Sequence, residues 1–187
     1  MQTIPLHTLE TAPEKSKPSL EALVSAFGFI PNLVATMAES PTLTAAFVSI
    51  FGTFQGNGSF DDAEKQVLLL TNAVTLRCRW TTAFHATLAL KAGVPSEDVA
   101  LIRAGGLPND ERHAALSALT KVFIERRGFE ADTAIARCVS AGYTQSHILD
   151  VIAGIGTSTM AATTGNLTDP PIEPMFEASQ AARATGN

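Results

Sequence analysis

The sequence predicts an all-α protein. Three observations carry this reading. Helix-forming Ala, Leu and Glu recur throughout, apolar residues return every three or four positions between Gly and Pro breaks, and no segment alternates with period two long enough for a strand. The 187 residues fit one compact domain, read as 1–187 with an N-terminal helical extension and an extended C-terminal tail. At that length a fold buries about 70% of its unfolded surface, so the core needs no staples.

Ser19 is placed to cap a first helix, with Leu20, Leu23, Val24 and Phe27 as its apolar stripe and Gly28 as its stop. Pro31 opens a second helix through about Met37, and Pro41 a third through about Phe54. The run Gly56-Asn57-Gly58-Ser59 breaks the chain. Asp61 starts the best-marked helix, with Asp62 and Glu64 in its first turn, where the helix dipole favours negative charge. A helix from Cys78 to Lys91 ends at Gly93, and another from Pro95 ends at Gly105-Gly106. Asp110 to Arg127, Ala131 to Ala141 and Thr144 to about Thr164 complete the set. Beyond them, Pro170, Pro171 and Pro174 suggest a tail lying extended over a surface.

Composition excludes several functions. Eighteen acidic against 13 basic residues give a net charge of −5, and no basic run exceeds Arg126-Arg127. A phosphate backbone needs a positive footprint, so nucleic acid is not an expected partner. Cys78 and Cys138 are too few for a disulfide scaffold and point to a reducing compartment. Met1 to Pro18 shows no apolar signal core. The greasiest stretch, Ile148 to Gly165, carries Asp150 and many small residues and does not read as a bilayer span. A soluble, cytoplasmic protein is expected. His7, His85, His113 and His147 lack metal-ligand spacing, and Gly154-x-Gly156 matches no phosphate fingerprint. Neither a metal nor another cofactor is expected, and His113 and His147, on exposed or interface faces, need no role.

The chemistry concentrates between Ala63 and Gly93, AEKQVLLLTNAVTLRCRWTTAFHATLALKAG. Residues at i, i+3 and i+7 share a helix face, so Cys78, Thr81 and His85 should point into one cleft. A helix N-terminus and the flanking Arg77 and Arg79 favour thiolate over thiol at Cys78, and the thiolate is the nucleophile. His85, two turns on, would reach Cys78 through Thr81 Oγ1 or a water as a proton relay. Each residue also has a plainer use. Cys78 could fill the core, His85 could satisfy a carbonyl, and Thr81 and Gln66 could pack or cap.

This stretch resembles the alkylhydroperoxidase D-like and carboxymuconolactone decarboxylase family. Members carry a Glu on one helix, then Cys-x-x-Cys-x-x-x-His opening the next, then a closing Gly. Here Cys78 holds the first cysteine position and His85 the histidine position. Thr81 stands for the second cysteine and Gln66 for the glutamate, with Glu64 half a turn away. Phe27-Gly28-Phe29-Ile30-Pro31-Asn32 and Ser40-Pro41 look like the family's N-terminal pattern, and Asn166 to Pro174 like the C-terminal segment of its longer members.

The resemblance implies a bundle of eight or nine helices, a homo-oligomer and a thiol peroxidase-type oxidoreductase with an antioxidant role, acting on a hydroperoxide. The small-residue stretch Gly154, Gly156, Ala161, Ala162 to Gly165 offers a surface for a second copy. A dithiol peroxidase closes a disulfide after forming a sulfenic acid. Thr81 cannot supply the second thiol, so Cys78 would need an external one. Two alternatives stand beside this. One is a cofactor-free decarboxylase or lactone enzyme using His85, although such members tend to place a glutamate where Thr81 sits. The other is a non-catalytic oligomeric binding protein.

Overall fold

A computed structural model describes residues 4–181; residues 1–3 and 182–187, part of the expected 1–187 unit, lie outside them. The described residues form α1 (Lys17–Phe27), α2 (Asn32–Met37), α3 (Pro41–Asn57), α4 (Asp62–Thr75), α5 (Arg79–Lys91), α6 (Ser96–Arg103), α7 (Glu111–Arg126), α8 (Asp132–Ser140), α9 (Gln145–Thr168) and α10 (Pro174–Ala181). A single 3₁₀ turn, Glu14–Ser16, precedes α1, and there is no strand among the described residues. The all-α reading is correct.

The centre of the bundle is α4, which packs against α5, α6, α7 and α9. Its sequence explains the position. Val67 to Leu70 is apolar on every side, so no face of the helix suits water, and all ten residues from Glu64 to Ala73 are buried. The helix starts with a reciprocal cap: Glu64 N–H donates to Asp61 Oδ1 at 2.8 Å and Asp61 N–H donates to Glu64 Oε2 at 3.1 Å. Polar side chains carried inward find partners on neighbouring helices. Glu64 accepts from Arg112 at 2.6 Å, and the Thr71 and Ser117 hydroxyls meet at 2.9 Å. These pairs fix how α7 seats on α4, because breaking one would leave a buried polar group unsatisfied.

Two apolar clusters flank this axis. One gathers α4, α7, α8 and the first half of α9 around Leu68, Leu116, Leu119 and Val151, and includes Cys138. The other gathers α1, α2, α3, the start of α5 and the end of α9 around Leu20, Leu33, Met37 and Phe84, and includes Cys78. Helix α5 belongs to both, through Ala86 and Ala89 on one side and Trp80, Ala83 and Phe84 on the other.

Several boundaries differ from the sequence reading. Helix α1 begins at Lys17, so Ser19 lies inside it; Ser16 stands at its start but donates its hydroxyl to Ala38 O at 2.7 Å instead of capping. Helix α3 continues through Gly56 to Asn57, and α9 continues to Thr168 before Asp169 turns left-handed at φ 41°. The tail is not wholly extended: Pro174 opens α10, a position where proline's missing N–H costs nothing. Buried Phe176 holds this helix against Trp80 and Phe84. His147, read as needing no role, closes the cap of α9 with Thr144. The small residues of α9 face inward. A side-chain carbon on Gly154 would stand 2.6 Å from Leu68 Cδ2, and Ala161 and Ala162 are buried, so this stripe serves packing within the chain. No helix of the described residues is long and apolar enough to cross a membrane.

Candidate functional site

The junction between α4 and α5 positions Cys78. Helix α4 ends in a paired-hydrogen-bond turn: Arg77 N–H donates to Val74 O and Cys78 N–H donates to Ala73 O, both at 3.0 Å. Arg77 occupies the left-handed position of this turn, φ 56°, where glycine is the usual residue. The reversal delivers Cys78 as the N-cap of α5, buried, with its backbone carbonyl already accepting from Thr82 N–H at 3.0 Å. Across from it, Gly165 of α9 comes so close that a side-chain carbon there would lie 2.6 Å from Cys78 Sγ. Asn166 Nδ2 donates to Leu76 O at 2.9 Å and ties α9 to the same turn.

Cys78 lines a cleft of about 410 Å³ whose charged walls are Arg77, Arg79 and Arg103. None of the other lining residues is acidic. Arg79 is bridged to Asp169 at 2.9 Å, both exposed, and Arg103 is 9% exposed. Among the described residues no three His, Cys, Asp or Glu side chains gather as a metal site.

Thr81 and His85 do not share that cleft. They line a separate cavity of about 30 Å³, room for one or two waters, walled by the rings of Phe27, Phe47, Phe51, Trp80 and Phe84. The one-cleft expectation is therefore corrected. Cys78, as the N-cap, sits before the helical stretch, and its sulfur turns toward α9 instead of along the face that Thr81 and His85 share. Thr81 Oγ1 donates back to Cys78 O at 3.4 Å, so it contacts the cysteine through backbone and not through sulfur.

Gln66 and His85 do meet. The Gln66 amide oxygen lies 3.0 Å from His85 Nδ1 and can only accept, so His85 carries its proton on Nδ1 and keeps Nε2 as an acceptor. Burial lowers the His85 pKa to about 3, which keeps the ring neutral. A glutamine accepts no proton, so the pair orients the ring but does not relay a proton. Thr157 on α9 lines the same cavity, and its buried hydroxyl has no hydrogen-bond partner among the described residues. Cys138 lies in the other cluster, donates to Ala115 O at 3.2 Å, and burial pushes its thiol up to about 11.

Sequence reasoning missed Arg103, Thr157 and Glu173. Arg103 and Thr157 sit on helices far along the chain from the motif and carry no spacing signal. Glu173 accepts from Asn32 N–H at 2.7 Å and from Trp80 Nε1–H at 3.0 Å, joining α2, α5 and the tail around the aromatic cavity.

This architecture is the alkylhydroperoxidase D-like helical fold. Residues 41–121 match the model of the carboxymuconolactone decarboxylase family. No curated protein matches the sequence. Solved structures share the fold at low identity. One is the AhpD core of an uncharacterized peroxidase-related protein from Ralstonia eutropha JMP134, with 14% identity and a TM-score of 0.79 over 94% of this chain and 96% of that one. The debrominase Bmp8, as a cysteine-to-alanine variant in complex with 2,3,4-tribromopyrrole, has 15% identity and a TM-score of 0.79 over 97% of each chain. An uncharacterized peroxidase-related protein from Silicibacter sp. TM1040 has 16% identity and a TM-score of 0.72 over 94% of this chain and 92% of that one.

Proposed function

We propose that the protein is a single-cysteine thiol oxidoreductase that reduces a small hydroperoxide through Cys78. The observation that carries the reading is Cys78 at the start of α5, lining a cleft whose charged walls are three arginines. A sulfur that reacts as its anion is served by a cationic wall and a helix N-terminus. The Cys78 thiolate attacks the terminal peroxide oxygen, the O–O bond breaks, and the alcohol leaves with a proton from solvent, giving a sulfenic acid. An external thiol condenses with the sulfenic acid, releasing water and leaving a mixed disulfide. A second equivalent of that thiol frees Cys78 and departs as a disulfide. Thr81, Gln66 and His85 serve the aromatic cavity in this scheme, as positioning residues for α5.

Trapping with dimedone after one equivalent of hydrogen peroxide tests the reading. The adduct is expected on Cys78, and Cys78→Ser is expected to abolish peroxide consumption with an added thiol. Consumption that survives Cys78→Ser sinks it. The decarboxylase reading fares worse, because it needs His85 to carry a proton, and a ring held near pKa 3 by burial is a poor carrier at neutral pH.

The fold shared with the debrominase Bmp8 motivates one second reading, debromination of a small molecule. Bromide release from 2,3,4-tribromopyrrole with excess thiol would support it, and none would remove it. Homo-oligomeric assembly belongs to the same proposal. Val139, Leu149 and Ile152, each more than half exposed, are the apolar side chains a second copy would cover.

A further inference from the structure

Cys78 has no thiol partner in reach of its helix turn: position 81 is threonine, and Cys138 lies in the opposite apolar cluster with its thiol donating to Ala115 O. The second thiol must therefore arrive from outside, and it must approach a buried sulfur through whatever opens beside it. That opening is the cleft of about 410 Å³, a volume in the range that holds small ligands. Its charge is one-sided. Three of the chain's 13 basic residues line it, and no lining residue is acidic. At its rim, Asp169 bridges Arg79 at 2.9 Å. Arg77 stands at a left-handed backbone position that glycine would fill with less strain, and its side chain reaches the cleft. Guanidinium forks bind carboxylates in two-point geometry.

We infer that the cleft formed by Arg77, Arg79 and Arg103 binds the carboxylate of the thiol that resolves Cys78, so the reductant is a small carboxylate-bearing thiol. The inference rests on the thiol-oxidoreductase reading. Its chemistry balances as above: the sulfenic acid and the bound thiol give a mixed disulfide and water, and a second thiolate displaces Cys78 to give the symmetrical disulfide.

The test is charge selectivity, measured without peroxide so that the two readings fail separately. In a Cys138→Ala background, reduced Cys78 is mixed with 3,3′-dithiodipropionate, bis(2-hydroxyethyl) disulfide or cystamine, and formation of the mixed disulfide is timed by mass spectrometry. The anionic disulfide is expected to react at least about tenfold faster than the cationic one at low ionic strength, with the neutral one between. The gap is expected to close in Arg77→Gln/Arg79→Gln, to return in Arg77→Lys/Arg79→Lys, and to shrink at about 1 M salt. Arg77 and Arg79 are exposed, so the double variants keep the core intact. The salt series on the unmutated arginines gives the same answer independently. Equal rates for the three disulfides, or a gap that survives removal of both arginines, overturn the inference. A gap with no sulfenic acid after peroxide keeps the anion site and removes the peroxidase. The converse, dimedone adduct without charge preference, keeps the peroxidase and removes the anionic thiol.

Discussion

Gly165 and Cys78 are in direct register across the interface of α9 and α5: a side-chain carbon on the glycine would stand 2.6 Å from the cysteine sulfur. No real side-chain carbon sits that close, so position 165 is held to glycine by the sulfur it faces. Gly165→Ala gains helix propensity of up to about 1 kcal/mol but overpacks by about 1–3 kcal/mol. The expected outcome is net destabilisation, with slower Cys78 labelling as the sulfur is displaced. Adding Cys78→Ala removes the sulfur, and most of the penalty is expected to vanish. A double-mutant cycle in urea denaturation reads the coupling directly, and additive effects would refute the contact.

Much of this arrangement is legible in the sequence and some of it is not. The nine helices read from Gly and Pro breaks are all present, because those residues act through local backbone geometry. The Gln66–His85 pair follows from the motif. The orientation of Cys78 does not. Spacing places it on a face with Thr81 and His85, yet an N-cap residue has extended backbone, φ −93° and ψ 114°, and aims its side chain elsewhere. Helix α10 was hidden by its prolines, since Pro174 marks a helix start as readily as a break.

Cys78 is expected to alkylate faster than Cys138. Both are buried, but Cys78 lines a cleft, whereas Cys138 is sealed in the core with its thiol pushed up to about 11 by burial. Limited iodoacetamide treatment at neutral pH followed by peptide mass spectrometry decides this. Equal labelling would make Cys78 an inert core residue.

His85 makes folding sensitive to acid. Unfolded, the ring takes up a proton below about 6.5, its ordinary value; folded, it stays neutral until about 3. The unfolded state thus binds more protons between those values, and stability falls as pH drops through that window, by up to about 1.4 kcal/mol per pH unit. His85→Gln is expected to flatten this slope relative to wild type in urea melts from pH 6.5 to 4. Parallel slopes would show that His85 is protonated in the fold.

Thr81→Cys tests what the missing cysteine costs. The introduced thiol would stand one turn from Cys78, in the spacing of a redox pair. Mild peroxide is expected to close a disulfide in this variant, while the wild type stops at a sulfenic acid or over-oxidises. Because Thr81 now lines the aromatic cavity and Cys78 the arginine cleft, closure requires the Cys78 side chain to swing. It is therefore expected to be faster in the Thr81→Cys variant that also carries Gly165→Ala, where the sulfur is displaced from α9, than in the one that keeps glycine. No disulfide in either background would show that the first turn of α5 holds its cysteine too rigidly.

The carboxylate of Glu173 joins parts of the chain that lie far apart in sequence. One oxygen accepts from the first helical residue of α2 and the other from the indole of α5, so a single side chain from the tail staples the front of the chain to the wall of the cavity. A side chain 141 residues further along the chain thus locks the start of α2. Until Glu173 arrives, Trp80 lacks its partner and Phe176 has not covered the rings, so a nascent or clipped chain has an open aromatic cavity. Closure of that cavity therefore waits on the segment that carries Glu173 and Phe176.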